Sequence, residues 1–532
     1  MQNIVIGGAW PYANGSLHIG HIAALLPGDV LARYHRAKGD SVYYISGSDC
    51  HGTPITVRAR EEGESPRVIS DRYHKEFRAV FEALGFSYDR YTKTSDRKHK
   101  SYVKEFHRRL YRSEYIEERT VSQAYCPGCQ KALTGRQIIG LCPHCGASAH
   151  GDQCDSCGVL LESDALREAV CAECGTAVSF GQTEQLYILI SKLREELCAY
   201  LDAHPHWRKN AIAFTKRYID EGLRDRAITR DLDWGIRVPR AEYEYKRIYI
   251  WAENVLGYLS ATATLCDARG VDFRSVYGDE ADARHYYVHG KDNIPFHTII
   301  LPALLLAHGE GWHLPDEIIS SEYLTLDGAK ISTSQNHAIW AKDLIGQYDP
   351  DTLRYFFLAN GPEKRDADFS LRELIERNNT ELVGAWGNFV NRTLAFLQKY
   401  RNGEIPADTP SPEVTRRIAE DFAAVGESIE RGCFKDALDR IFETVRFGNR
   451  YYDAAQPWLT RTSDPAACDA ALADCLYLIA NLAVLLHPFL PFSCEKLFSW
   501  LEIEPRWEAQ TVGTAVLPDE ISVLYRRIET ES

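Results

Sequence analysis

Methionine occurs once in 532 residues, at Met1, where ordinary usage would give about ten. Positive charge is also short: 61 lysines and arginines face 75 acidic residues, for a net charge of −14. That balance excludes indiscriminate nucleic-acid binding and still leaves room for a local basic patch that tracks phosphates. One candidate patch is Lys93, Arg97, Lys98, Lys100, Lys104, Arg108 and Arg109, although such a run reads first as a solvated helix face. No N-terminal signal peptide is visible, because Trp10-Pro11 breaks a short apolar run. No apolar stretch is expected to reach membrane-spanning length, and Leu301 to Ala307 is short enough for a buried helix. A cytoplasmic chain without a membrane partner is expected.

A disulfide framework is the next absence. There are 15 cysteines. Eight fall in the pairs Cys126-x-x-Cys129, Cys142-x-x-Cys145, Cys154-x-x-Cys157 and Cys171-x-x-Cys174, and the remaining seven are scattered and odd in number. In a long chain without a secretion signal this points to a reducing compartment. Each C-x-x-C lets two thiolates converge from one tight turn, and two such turns complete a tetrahedral site. Gly128, Gly146, Gly158 and Gly175 sit within or beside the pairs, as sharp knuckles need. Two structural Zn²⁺ ions are expected, in nested order. Cys142, Cys145, Cys154 and Cys157 would hold one, and Cys126, Cys129, Cys171 and Cys174 the other, because a short loop separates the inner pairs and the outer pairs flank it. Closed sites of this kind fold a segment and do not catalyse.

What is present begins with Ile4-Val5-Ile6, a short strand, followed by Pro11-Tyr12-Ala13-Asn14-Gly15-Ser16-Leu17-His18-Ile19-Gly20-His21. This reads as strand, turn and a helix that opens on His-x-Gly-His. A helical glycine costs about 1 kcal/mol relative to alanine. Close approach of something flat to the backbone is the usual reason to accept that cost, and imidazoles on either side of the gap suit a purine over Gly20 with phosphates at His18 and His21. Taken alone, the tetrad could equally be a satisfied helix start. With Val42-Tyr43-Tyr44-Ile45 the segment makes a βαβ unit and predicts a parallel sheet covered on both faces. Asp49 then falls at a strand's carboxyl end, where open α/β sheets bind ligands. The sheet is expected to resume with Tyr249-Ile250-Trp251 and His285 to His289. From Leu371 onward helical periodicity dominates and implies a bundle, with a loop between Tyr400 and Pro412.

About three hundred residues after the histidine tetrad, Leu326-Asp327-Gly328-Ala329-Lys330-Ile331-Ser332-Thr333-Ser334 leads into a lysine-serine loop. The pair resembles the two signatures of class I aminoacyl-tRNA synthetases. Gly47 to Ile55, Arg230-Asp231-Leu232-Asp233-Trp234-Gly235, Gly290-Lys291-Asp292 and Gln456-Pro457-Trp458 resemble the methionyl-tRNA synthetases in order and spacing over essentially the whole chain. The resemblance implies an α/β protein: a Rossmann-type parallel-sheet catalytic domain in two halves, 1–115 and 236–322, interrupted by a zinc-knuckle insertion at 116–235. A linking domain with the lysine-serine loop at 323–370 and an α-helical bundle that binds the anticodon at 371–532 would follow. A monomer is expected.

The reaction implied is activation of methionine by ATP with Mg²⁺, then acyl transfer to the terminal adenosine of tRNA(Met). His18, His21 and Lys330 would be catalytic, stabilising phosphate charge. Gly20, Gly290, Asp292, Lys330, Ser332 and Thr333 would bind ATP, with Asp292 on the ribose hydroxyls. Trp10, Tyr12, Asp49, Trp251, Tyr258 and His297 would form the amino-acid site, with Asp49 on the ammonium group; a thioether packs well against aromatics. Asn388, Arg392 and Trp458 would read the anticodon. Plainer readings exist for each alone: a helix cap for Asp292, a turn residue for Asp49, core aromatics for the rest. The sequence departs from the family at Trp10 (usually leucine), Asn254 and Val255 (alanine and proline), Asn293 (an apolar residue) and Thr333 (a second lysine). Two other functions compete: a ligase for another amino acid or a non-translational acceptor, and a non-catalytic zinc-containing tRNA-binding protein. The retained histidines disfavour the last. The near absence of methionine suits a chain that can be made while charged methionine tRNA is scarce.

Overall fold

The structure, a computed structural model, describes residues 1–529 except 134, 152, 153, 155, 158–160, 162 and 332–337. Ser332 and Thr333 lie outside the described residues, and of Lys330 only the backbone is described.

Five parallel strands make the central sheet. They are β1 (Asn3–Gly8), β2 (Ser41–Ser48), β3 (Arg90–Lys93), Ala283–Gly290 and Glu317–Ser321. Their spatial order is 317–321, 283–290, β1, β2, β3. β1 is central, pairing Ile6 with Tyr286 on one side and with Tyr44 on the other. Strand order therefore reverses at β1, and a crevice opens beyond its carboxyl end. Ile4, Ile6, Val42 and Tyr44 enter the core on one face, while Val5, Tyr43 and Ile45 enter a second core on the other. Burial on both faces is what a parallel sheet between helices requires.

The helix after β1, α1 (Ile19–Lys38), packs on the first of these faces. It ends at Gly39, whose φ of 87° is left-handed and free of strain for glycine. His35, Arg36 and Lys38 in its last turn oppose the negative end of the helix dipole.

The segment Tyr249-Ile250-Trp251 is not the expected sheet strand. Only Arg247–Ile248 is extended, pairing with Thr229–Arg230 outside the central sheet, and 250–252 is a single 3₁₀ turn. A short apolar triplet cannot distinguish a strand from a buried turn. Here the turn buries Ile250 and Ala252 and leaves Trp251 half-buried on the cavity wall.

The insertion is an antiparallel ribbon of Ile116–Cys126 and Ser179–Ile188, in register from Ile116↔Ile188 to Tyr125↔Ser179. The cysteine knuckles sit at its tip with the short strands Ile138–Leu141, Ser148–His150 and Arg167–Cys171. From Leu371 to Leu501 helices dominate, as expected, and the first core continues through the helices Asn388–Arg401, Pro412–Glu430, Phe434–Ala455, Pro465–Leu486 and Pro491–Leu501.

One of these helices corrects the expectation about long apolar stretches. Pro465–Leu486 is long and apolar enough to cross a membrane, with a mean hydropathy of 1.7 in its best window, yet 89% of that window is buried inside the protein. It is the central helix of the bundle. Asp474 interrupts its apolar run and is itself satisfied by the Ser411 amide and the Tyr451 hydroxyl.

Candidate active site

A cavity of about 510 Å³ opens at the carboxyl end of β1, with His18, His21, Trp251, Tyr258, Asp292 and His297 in its wall. Trp10, Tyr12, Gly20 and Gly290 also line it. Sequence positions nearly three hundred apart thus meet at the switch point of the sheet.

The histidine tetrad forms a reciprocal cap. The Gly20 N–H donates to His18 Nδ1 at 3.1 Å, and the His18 N–H donates to His21 Nδ1 at 3.2 Å. Both Nδ1 atoms therefore accept, which places the ring proton of each neutral imidazole on Nε2. Burial, and for His18 also the neighbouring ring, lowers the pKa to about 2 for His18 and about 4 for His21. The pair is neutral at pH 7 and presents two N–H donors without a charge. A Cβ on Gly20 would lie 3.0 Å from the His18 ring, so the glycine also leaves that ring its place.

Around Tyr258 and Trp251 the aromatic groups of the cavity wall interlock. The Tyr258 hydroxyl bonds His297 Nε2 at 2.8 Å, and His297 Nδ1 lies 2.9 Å from the Asn293 carbonyl. The carbonyl can only accept, so Nδ1 carries the proton and Nε2 accepts from the tyrosine. Burial lowers His297 to about 4, which keeps it neutral. Trp251 stacks on Phe296 with centroids 3.6 Å apart, and Tyr12 meets Trp251 edge-on at 6.2 Å. Trp10 fits because two glycines make room: a Cβ on Gly47 or Gly257 would lie 2.5 or 2.7 Å from its ring.

Asp49 is fully buried, and its backbone is clipped to the Pro11 carbonyl and the Ala13 amide, both at 2.8 Å. Burial, then the carboxylate of Glu253, pushes its pKa well above the usual carboxylate range. Glu253 goes the other way: burial raises it, but His51 and His99 outweigh that and hold it at about 2.

Asp292 accepts a hydrogen bond from the Tyr323 hydroxyl. Lys291 is held by Glu322 and Asp366 at 2.7 Å each and lies over the Tyr323 ring. The Lys330 backbone pairs with Thr325, and the next residue, Ile331, lines the cavity. After the undescribed stretch, Ile339 and Ala341 hydrogen-bond Ile19 and Leu17, so the loop leaves and rejoins the site beside α1. Phe296, Glu322 and Tyr323 are cavity residues that the sequence reading passes over. The available signal was position, since Glu322 and Tyr323 directly follow a strand's carboxyl end.

Comparison with known proteins decides the family. The description "tRNA synthetases class I (M)" matches residues 4–394, and "Anticodon binding domain of methionyl tRNA ligase" matches 409–519. A "Methionine--tRNA ligase" of Bacillus cereus is 48% identical over 535 aligned positions, covering 100% of this chain and 97% of its own. One from Bacillus mycoides has the same identity and coverage. The chain belongs to the methionyl-tRNA synthetase family of class I. The fold of a family member, a Mycobacterium tuberculosis methionyl-tRNA synthetase in complex with methionyl-adenylate, superposes with a TM-score of 0.81 at 23% identity, over 99% of this chain and 100% of that one.

Outside the cavity, the eight paired cysteines of this synthetase-family chain gather into the two expected nested sets. Cys126, Cys129, Cys171 and Cys174 converge in one, and Cys142, Cys145, Cys154 and Cys157 in the other, with the sulfurs of each set within 4.8 Å of one another. Within the sets, Sγ pairs lie 3.4–3.9 Å apart. A tetrahedral ion with bonds of about 2.3 Å to sulfur needs sulfurs roughly 3.8 Å apart, so either set can hold a metal ion.

On the bundle, Asn388 and Arg392 share the helix Asn388–Arg401. Asn388 bonds Asn449 at 3.2 Å, and Arg392 pairs with Asp453 while lying over the Tyr452 ring. That ring is 5.9 Å from Trp458, which is 41% exposed. The three residues therefore share one surface, and the exposed Trp458 is not a core residue.

Proposed function

We propose that this chain is a methionine–tRNA ligase that activates methionine with ATP and transfers it to the 3′-terminal adenosine of tRNA(Met). The observation that carries the reading is the single cavity that joins two neutral histidine donors to an aromatic pocket backed by a buried aspartate, in a chain 48% identical to methionine–tRNA ligases over its full length.

Phosphoryl and adenylyl chemistry needs little from the protein beyond positioning and charge stabilisation. The Nε2–H groups of His18 and His21 would hold the phosphate as charge grows on it. Gly20 and Gly290 would let the nucleotide approach the backbone. Asp292 would take the ribose hydroxyls, and Lys330, Ser332 and Thr333 the departing pyrophosphate with Mg²⁺. Trp10, Tyr12, Trp251, Tyr258 and His297 would enclose the thioether side chain, and Asp49 would balance the ammonium. His297 is locked as an acceptor toward Tyr258, so the pocket offers the thioether an apolar surface.

Zinc fits both cysteine sets, which carry four thiolates each and leave no open position, so its part is to fold the insertion. Asn388, Arg392 and Trp458 would read the anticodon, with Trp458 stacking a splayed base. A cytoplasmic monomer is the matching cellular form. ATP–pyrophosphate exchange run with every amino acid tests the reading. Methionine alone should support it, and charging of tRNA(Met) should follow. Exchange with another amino acid, or none with any, would overturn it.

A further inference from the structure

Among the polar groups of the cavity wall that the reaction as described does not use, Asn254 is the one that reaches a buried carboxylate. Asn254 lines the cavity, whereas Asp49 is not among the residues that do. The Asn254 side-chain amide donates to Asp49 Oδ2 at 3.0 Å. The other carboxylate oxygen, Oδ1, accepts from the His51 N–H at 3.2 Å. Asn254 is 7% exposed and Asp49 is 0% exposed. Asn254 therefore lies where the cavity wall and the buried carboxylate meet. Its own Oδ1 is buried and finds no partner among the described residues, an arrangement that costs stability unless a ligand or water completes it.

Asp49 also sits among groups that bear on its charge from every side. Glu253 and Asn254 come from one turn, His51 and Cys50 from its own loop, Tyr12 from the loop after β1, and Thr94 from beyond β3. Among the groups that bear on its charge, only donors such as the His51 N–H, the Asn254 amide and the Thr94 hydroxyl favour the ionised form, against burial and Glu253.

We infer that Asn254 is a positioning residue of the amino-acid site, whose amide orients the Asp49 carboxylate and keeps it ionised as the counter-charge of the substrate's ammonium group. The inference rests on the reading of Asp49 as the ammonium partner. A hydrogen bond to a charged group is worth more than a neutral one, and here it joins Asp49 to a side chain of the cavity wall. Without it, Asp49 would favour its proton more strongly, and the site would lose the charge that attracts the ammonium.

The test compares the parent with Asn254→Ala and the near-isosteric Asn254→Leu, with Asp49→Asn alongside. The readouts are the pH profile of methionine KM in pyrophosphate exchange, and inhibition by methioninol adenylate and by its counterpart lacking the amino group. In both Asn254 variants methionine KM should rise about tenfold, the acid limb of the profile should move toward neutral pH, and ATP KM should stay put. The two adenylates should become harder to tell apart, with the amino-free compound unaffected. Equal loss for both adenylates, or a parent-like KM and profile in Asn254→Leu, overturns the inference. If Asp49→Asn keeps the parent's discrimination between the two adenylates, it is the assignment of Asp49 that falls; if Asp49→Asn loses the discrimination and the Asn254 variants keep it, only the role of Asn254 falls.

Discussion

Arg354 and Asp29 form an ion pair of 2.7 Å in which both side chains are 0% exposed. Asp29 lies on α1, the helix that opens with the histidine tetrad, and Arg354 lies on Pro350–Ala359, near the start of the helical half of the chain. The guanidinium also donates to the carbonyls of Leu84, Pro488 and Phe489, so one side chain ties α1, the end of the helix Pro66–Ala83 and the bundle together. Arg33 donates to the same carboxylate at 2.9 Å. Burial would raise Asp29, but Arg33, Arg354 and Ser87 more than cancel it and hold the carboxyl well below its usual range.

Breaking such a pair leaves an uncompensated buried charge and costs roughly 3–5 kcal/mol. Arg354→Met should therefore lower the unfolding free energy from denaturant titration by that order. The Asp29 contribution is present above the unfolded carboxyl pKa, near 4, and is lost as pH falls through the lower folded value. Asp29→Asn should be less stable than the parent at pH 7, with the difference narrowing below about pH 4. An equal difference at all pH values would show that the aspartate is not ionised in the fold.

The two histidines give a prediction of the same sign in a higher pH window. Their folded pKa values, about 2 for His18 and about 4 for His21, lie below the ordinary histidine value. The stability this contributes is complete above about pH 6.5 and declines as pH falls from there toward the folded values. His21→Asn keeps a side-chain amide and should flatten the stability profile between about pH 6.5 and 4. His18→Ala removes one of the two Nε2–H donors proposed to hold the phosphate and should slow exchange by ~10²-fold, about 2.7 kcal/mol, with ATP binding little changed. An acid limb in exchange that titrates near pH 6.5 and vanishes in His18→Ala would show that a charged imidazole does the work.

How much of this was legible in the sequence follows from chain distance. The histidine cap and the cysteine knuckles are local patterns, and their geometry depends on spacings of three or four residues. The alternation of Ile4, Val5 and Ile6 likewise announced a strand buried on both faces. The pairs Asp49–Asn254 and Asp29–Arg354 are 205 and 325 residues apart, and each residue alone reads as an ordinary polar residue. The turn at Tyr249-Ile250-Trp251 was misread because burial, not β-structure, made it apolar, and the helix Pro465–Leu486 was overlooked because its polar interruptions are satisfied only by the folded bundle.

Metal content separates the two cysteine sets. Two zinc ions per chain are expected. Cys145→Ser should leave one, bound by Cys126, Cys129, Cys171 and Cys174, because the sets share no sulfur. Elemental analysis showing loss of both ions, or of neither, would contradict two independent closed sites.

Trp458 should separate the two half-reactions. Its ring is exposed and adjoins Tyr452, itself covered by Arg392. Trp458→Ala should weaken tRNA charging by about 1–3 kcal/mol, the worth of one stacked base. Pyrophosphate exchange needs no tRNA and should stay near the parent rate. Equal losses in both assays would mark Trp458 as a structural residue.

The lysine loop makes the last prediction. Thr333 stands where the family has a second lysine, and a neutral hydroxyl cannot stabilise pyrophosphate as a cation does. The structure removes one substitute, because Lys291 is held between Glu322 and Asp366, which raise its pKa against the effect of burial. Moving it to the phosphates would take that cation away from both carboxylates. Lys330 remains, with its backbone on the short strand Ala329–Lys330 and its neighbour Ile331 in the cavity wall. Lys330→Ala should therefore depress pyrophosphate exchange by ~10²–10³, about 2.7–4 kcal/mol, with ATP KM little changed. Lys291→Ala should leave the rate of the chemical step much closer to the parent, and Thr333→Lys should be neutral or faster. If Lys330→Ala exchanges at the parent rate while Lys291→Ala does not, the ion pairs of Lys291 open during the reaction, and that lysine is the cation that meets the departing pyrophosphate.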